Sequence, residues 1–151
     1  GLSVAQGGIK KRLIVRRTHK GIGVFTVDKL IKGDFVANYA AEFMSEKEAE
    51  TRENVRDQSM TYQLFVNRHY VLDGTEFGNV ARFLNHSCDP NLKITKVECG
   101  LQNALVAFFC KSDIEAGDEL TWNYDNKGGA RKKSGIKCLC GATDGKCRQF
   151  L

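Results

Sequence analysis

The sequence is poor in the residues that mark several protein classes. It has one proline and one tryptophan, and its 15 glycines follow no triplet period. That excludes a proline-rich spacer and a collagen-like chain. No apolar run outlasts Ala104 to Cys110, far short of the ~20 residues a membrane-crossing helix needs. The first residues do not read as a secretory leader, because their apolar stretches are short and broken by Gly and Lys. The pair Gly21 and Gly23 lacks the third glycine and the βαβ setting of a dinucleotide fingerprint, and taken alone reads as a turn. What is present is ordinary for a folded domain. Nine Phe and four Tyr argue against disorder, and 151 residues suit one domain with at most a small appendage.

The net charge of +5 is unevenly spread. Lys10, Lys11, Arg12, Arg16, Arg17 and Lys20 form one basic stretch, and Lys127, Arg131, Lys132, Lys133 and Lys137 a second. Such segments suit a polyanion such as nucleic acid; the plainer reading is two solvated basic faces. Three of the six cysteines, Cys138, Cys140 and Cys147, crowd into C-x-C-x6-C near one end. A secreted disulfide framework spreads its cysteines evenly, so a tetrahedral zinc site is the better reading. Three thiolates leave one ligand to come from elsewhere. Cys99 and Cys110 sit in strand-like runs and read as small core residues.

Few helices are visible. Short strands are expected over Ile9–Arg17, near Gly21–Val24, over Phe35–Tyr39, over a hairpin of Tyr62–Val66 with His69–Leu72, and over Leu92–Cys99, Leu105–Cys110 and Leu120–Tyr124. Ser45-Glu46-Lys47-Glu48 is a capping box opening a surface helix to about Arg56, with Glu48 and Arg52 spaced to pair. Residues 78–85 read as a short helix, and 126–135 as a Gly- and Lys-rich linker. The fold class is α+β, mainly β, with a metal-bound tail.

Chemistry-bearing residues are densest over Arg82 to Asn91, which holds Asn85, His86, Ser87, Cys88, Asp89 and Asn91. His86 and Cys88, two residues apart, are expected to point apart in a loop or strand, which argues against a Cys–His nucleophile pair. The other rich stretch is Glu119 to Asp125, a strand ending in aromatics.

Taken together and in order, these segments resemble the SET-domain protein lysine methyltransferases. The likeness rests on Gly21-Ile22-Gly23-Val24-Phe25, on Tyr39-Ala40-Ala41-Glu42, and on Gly78-Asn79-Val80-Ala81-Arg82-Phe83-Leu84-Asn85-His86-Ser87-Cys88-Asp89-Pro90-Asn91. It continues through Ala116-Gly117-Asp118-Glu119-Leu120-Thr121-Trp122-Asn123-Tyr124 and Cys138-Leu139-Cys140-Gly141-Ala142. The entry segment Val4 to Thr18 and Ala107-Phe108-Phe109 are similar to the Suppressor-of-variegation branch, whose enzymes methylate lysine 9 of histone H3. The sequence departs from the pattern at Ile22 (usually Trp), Asn38 (commonly Glu), Ala41 (Gly) and Asn123 (Asp), and its C-x6-C spacing is two residues longer than usual. The branch's cysteine-rich pre-SET cluster is absent from these residues, so either the sequence is a fragment or it supports this end otherwise.

The resemblance implies small curled β-sheets with a C-terminal pseudoknot, a SET domain over 8–126, and a zinc-bound post-SET tail over 134–150. Cys88 would join Cys138, Cys140 and Cys147 on the zinc. S-adenosylmethionine would be the methyl donor, bound by Lys20, Gly21, Ile22, Gly23, Tyr62, Arg82, Asn85, His86 and Tyr124. Tyr124 would be the catalytic tyrosine, assisted by Tyr62, with Tyr39 and Trp122 in the lysine channel and Trp122 allowing more than one methyl. The implied partner is the histone H3 tail in the nucleus, in heterochromatin formation and silencing. The alternatives are another histone or non-histone lysine, or a weakly active histone-binding scaffold.

Overall fold

The computed structural model describes residues 8–55, 62–67, 69–98, 104–124 and 137–150. Strands β1 (Leu13–Thr18) and β2 (Gly21–Thr26) form an antiparallel hairpin. The tight reversal between them puts Gly21 at φ +104°, a conformation costly for any residue with a Cβ. β3 (Phe35–Asn38) and β4 (Ala41–Ser45) follow, and β4 runs into helix α1 (Glu46–Val55). β5 (Gln63–Phe65) and β6 (Tyr70–Gly78) form the next hairpin. A short 3-10 turn (Val80–Phe83), β7 (Asn85–His86), β8 (Leu92–Glu98), β9 (Ala104–Cys110) and β10 (Glu119–Trp122) complete the order.

These strands make three small sheets: β1-β2-β10-β7, β3-β9-β8 and β4-β6-β5. Each contributes to one apolar cluster, the first through Val24, Leu120 and Trp122, the second through Val36, Val106 and Phe108, the third through Leu64 and Leu72. Two glycine turns, at Gly33 and Gly117, reverse the chain beside Leu30 and Ile114, which bridge each other and are buried.

The defining feature is β10. It pairs antiparallel with β2 through Glu119 and Leu120, then parallel with β7, with Thr121 opposite Asn85 and Trp122 opposite His86. A strand near the end of the described chain is thereby interlocked with residues 84–91. Two residues of ladder are little to hold a strand, and side chains complete the seam. The Asn91 amide acts as a substitute strand partner: its Nδ2 donates to Glu119 O (2.8 Å) and its Oδ1 accepts from Thr121 N–H (2.9 Å). Ser87 N–H donates to Trp122 O at 3.0 Å.

The structure corrects several expected boundaries. The first strand begins at Leu13 rather than Ile9, and the last stops at Trp122, leaving Tyr124 in a turn. β4 and β7 were not anticipated, because Ala41–Ser45 lacks clean alternation and β7 exists only through its tertiary partner. β6 runs six residues beyond the expected Leu72, to Gly78. Arg52 pairs with Glu42 (3.1 Å) rather than Glu48, because Glu48 is engaged by Ser45 in the capping box. Cys110 is a fully buried core residue; Cys99, the entry residues 4–7, Arg56 and the linker 126–135 lie outside the described residues. No described helix is long and apolar enough to cross a membrane.

Replacing Asn91 with Ala leaves two backbone groups of β10 without their partners. We expect a loss of about 2 kcal/mol of folding stability, measured as a shift in the urea midpoint with the denaturant slope unchanged.

Candidate methyl-transfer and metal site

The seam between β7 and β10 assembles three groups of side chains. The first gathers around the glycines of β2. Asn85 Nδ2 donates to Ile22 O (3.0 Å) and to Glu119 Oε1 (2.8 Å), while Lys20 Nζ meets Glu119 Oε2 at 2.6 Å. The Lys20 and Glu119 side chains are only 10% and 19% exposed, so this ion pair is stronger than a surface bridge. Gly23 is required by space: a Cβ there would meet Glu119 Oε1 at 2.7 Å, Asn85 Nδ2 at 3.0 Å and Thr18 Cγ2 at 3.0 Å. An ammonium, a carboxylate and an amide thus converge beside bare backbone.

The second group is aromatic. Tyr39, Phe108, Trp122, Tyr124 and His86 form a continuous series of tilted and edge-on contacts with ring centroids 4.7–6.4 Å apart. The Leu84 carbonyl ties its end, accepting from Trp122 Nε1–H (3.2 Å) and from the Tyr124 hydroxyl (2.9 Å). The Tyr39 hydroxyl donates to Tyr62 O at 2.7 Å. Burial pushes the pKa values of the Tyr39 and Tyr124 phenols well above the ordinary tyrosine value, and neighbouring phenols add to this, Tyr124 acting on Tyr39 and Tyr62 on Tyr124. Tyr124 is 44% exposed as a whole residue, but its hydroxyl is turned inward onto Leu84.

The third group is sulfur. Cys88, Cys138, Cys140 and Cys147 place their Sγ atoms all within 4.8 Å of one another. Four sulfurs at about 2.3 Å from a tetrahedral ion stand about 3.8 Å apart, and Cys88 Sγ lies 3.8 Å from Cys138 Sγ. Backbone N–H groups of Ala142, Arg148 and Gln149 point at Cys140, Cys88 and Cys147 (3.4–3.5 Å), the environment that thiolates need. The donor set fits a metal ion. Burial pushes the Cys138 thiol up to about 12, so a metal must displace its proton. Around the cluster the tail closes on itself through Cys138 N–H to Gln149 O (2.7 Å). It docks through Lys146 on Asp89 (2.6 Å) and His19 against Leu139 O (3.0 Å).

The structure therefore brings Lys20, Gly21, Ile22, Gly23, Asn85, His86, Trp122 and Tyr124 to one seam. Arg82 stands to the side: its guanidinium lies over the Tyr62 and Phe83 rings (5.5 and 4.6 Å) and donates to Gly74 O. One expectation fails. His86 Nε2 and Cys88 Sγ do not point apart but lie 3.2 Å from each other, because the chain bends at Cys88 just past the end of β7. Cys88 nevertheless belongs to the four-sulfur group, so the contact makes no isolated nucleophile pair. Three participants were not named as site residues from the sequence: Glu119, noted only as part of a motif stretch; Phe108, within a strand read as fully buried; and the Leu84 carbonyl, which no side chain announces.

With this geometry in view, the comparisons are consistent with one another. Residues 21–125 match the SET domain model, and the chain belongs to the SET-domain family. It is 35% identical over 158 residues to the probable histone-lysine N-methyltransferase set-23 of Caenorhabditis briggsae, covering 98% of this chain and 64% of the relative. To the histone-lysine N-methyltransferase SUV39H2 of Xenopus tropicalis it is 34% identical, over 98% of this chain and 41% of the relative. The crystal structure of the methyltransferase domain of human histone-lysine N-methyltransferase SETMAR superposes with a TM-score of 0.84 at 31% identity, over 97% of this chain and 60% of that one. The chain thus spans between about two fifths and two thirds of the relatives it matches.

Two predictions follow from the packing. Gly23→Ala forces Glu119 and Asn85 aside and is expected to cost 1–3 kcal/mol, roughly the range for overpacking, read by thermal unfolding. The raised phenols of Tyr39 and Tyr124 stabilise the fold below the ordinary tyrosine pKa of about 10. Above it the unfolded chain loses its phenolic protons first, so stability should fall as pH climbs beyond 10. Urea unfolding of the wild type against Tyr39→Phe, at about pH 8 and pH 11, measures the difference.

Proposed function

We propose that this chain is the catalytic part of a protein-lysine N-methyltransferase, with a SET domain over 8–126 and a zinc-holding tail over 134–150. Its substrate is a lysine of the histone H3 tail, lysine 9 first, and its place is on chromatin in the nucleus, in gene silencing. The observation that carries the reading is the β7–β10 pairing, which sets the Tyr124 phenol edge-on against His86 and on the Leu84 carbonyl. The histone-lysine names of the relatives support the substrate class.

When bound, S-adenosylmethionine would supply a methyl group on a cationic sulfur. Its amino-acid end carries one ammonium and one carboxylate, and Lys20, Glu119 and Asn85 offer matched partners beside the bare backbone of Gly21 and Gly23. Zinc, when bound by Cys88, Cys138, Cys140 and Cys147, would supply structural order to the tail.

The incoming lysine must arrive neutral, although a free lysine has a pKa near ~10.4. The aromatic side chains of Tyr39, Trp122 and Tyr124 carry no anion of their own, so desolvation beside them favours the amine, while the Asp73 and Glu119 carboxylates act on Tyr39 and Tyr124 respectively. Tyr124 stays protonated through the working range and donates its one proton to Leu84 O, so its oxygen is left to accept an N–H from the amine and orient it. It acts by positioning, not as a base. Trp122 has no hydroxyl with which to hold a water in the channel, and its N–H is engaged by Leu84 O. On this reading the site would accept an amine that already carries a methyl.

A lysine peptide array with S-adenosylmethionine, read by mass spectrometry, tests this. We expect methylation of the H3 peptide at lysine 9, with di- or trimethyl product, and a loss of roughly 100-fold in kcat for Tyr124→Phe, the scale of lost positioning. Preference for another peptide reassigns the substrate; monomethyl product alone rejects the role given to Trp122; donor binding without turnover on any peptide leaves a scaffold.

A further inference from the structure

His86 touches both halves of the site. Its Nδ1 lies 3.1 Å from the backbone nitrogen of Tyr124, and its Nε2 lies 3.2 Å from Cys88 Sγ. A backbone N–H can only donate, so Nδ1 must present a lone pair. The ring proton of the neutral imidazole is then on Nε2, aimed at sulfur. The ring is also packed edge-on against the Tyr124 phenol, with centroids 5.3 Å apart, and is itself buried.

We propose that His86 is a positioning residue that joins the four-cysteine site to the catalytic tyrosine: its Nε2–H is held by the Cys88 sulfur, and its Nδ1 sets the backbone of Tyr124. This rests on the assignment of Tyr124 above, and it differs from a direct donor-binding role for the imidazole. A sulfur ligand on a metal is a thiolate, a better acceptor of N–H than a thiol, and outer-sphere donors of this kind orient and tune such ligands. Metal loading therefore fixes the ring in one tautomer and one orientation. The ring then fixes the N–H of the residue whose hydroxyl is already anchored at Leu84 O. Tyr124 is held at two points, and one of them is referred to the metal site. Because binding couplings are reciprocal, disturbing the imidazole must loosen the metal as well as the tyrosine.

Two substitutions separate the arms. Asn at 86 puts its amide near the position of Nδ1 and can still accept from Tyr124 N–H, but cannot reach Cys88. Gln reaches the position of Nε2 and can donate to the sulfur, but leaves Tyr124 N–H without its acceptor. In zinc-loaded protein, His86→Asn should surrender zinc to a chelator roughly tenfold or more faster than wild type. His86→Gln should hold zinc to within about twofold yet lose kcat on the lysine peptide with little change in KM for the methyl donor. Long-range proton–nitrogen NMR of the zinc-loaded wild type should show His86 as the pure Nε2–H tautomer, a readout that needs no variant to fold. An Nδ1–H form, an exchanging mixture, or equal zinc retention by wild type and both variants would overturn the proposal. If the wild type methylates nothing, the functional reading falls, while the tautomer and the zinc release still decide this one.

Discussion

Everything in this molecule depends on a strand of four residues lying between two others that are far from it in sequence. β10 has only Glu119 and Leu120 against β2, and Thr121 and Trp122 against β7. A parallel ladder of two residues does not offset the entropy of closing the intervening chain. Side chains complete the join: the Asn91 amide takes the place of a neighbouring peptide unit, and the Trp122 indole and Tyr124 phenol share one carbonyl. The residues that secure the join are the residues of the site, or their immediate neighbours. Structural and chemical roles are therefore hard to separate here by deletion, and the substitutions that separate them keep the shape and change one hydrogen bond.

The three groups at the seam have different electrostatic characters, and their order along it makes physical sense. At one end an ion pair and an amide offer charge to a charged ligand. In the middle, aromatic faces offer none, which suits a side chain that must lose a proton before it reacts. At the far end four sulfurs converge, and a metal would neutralise the charge they carry as thiolates. His86 stands between the second and third, and Asn85, its neighbour, belongs to the first. Two consecutive residues on a short strand point to opposite sides, so one dipeptide serves two chemically unlike surroundings.

Much of this was legible in the residues alone, for identifiable reasons. The C-x-C-x6-C spacing announced a convergent sulfur cluster able to hold a metal, and the capping box at Ser45 announced α1 because its chemistry is local. The hairpins were readable from alternation and turn residues. What was not readable depended on distant partners. β7 has no propensity of its own and is a strand only because β10 lies beside it. Arg52 chose Glu42 over Glu48 because the tertiary fold brought β4 within reach and the cap had engaged the nearer acid. The contact of His86 with Cys88 was misjudged by expecting residues two apart to point apart, whereas the chain turns at Cys88 and brings its sulfur back to the ring. Leu84 contributes only a carbonyl, which every residue possesses.

The late position of β10 has a consequence for how the molecule comes into being. As synthesis proceeds from the first residue onward, the hairpin of β1 and β2, the sheet of β4, β5 and β6, and the pairing of β8 with β9 can all form before Glu119 leaves the ribosome. None of those intermediates contains the place where β7 and Tyr124 meet. That junction can form only once β10 is available, and the four-sulfur tail that follows it in the chain must close after it.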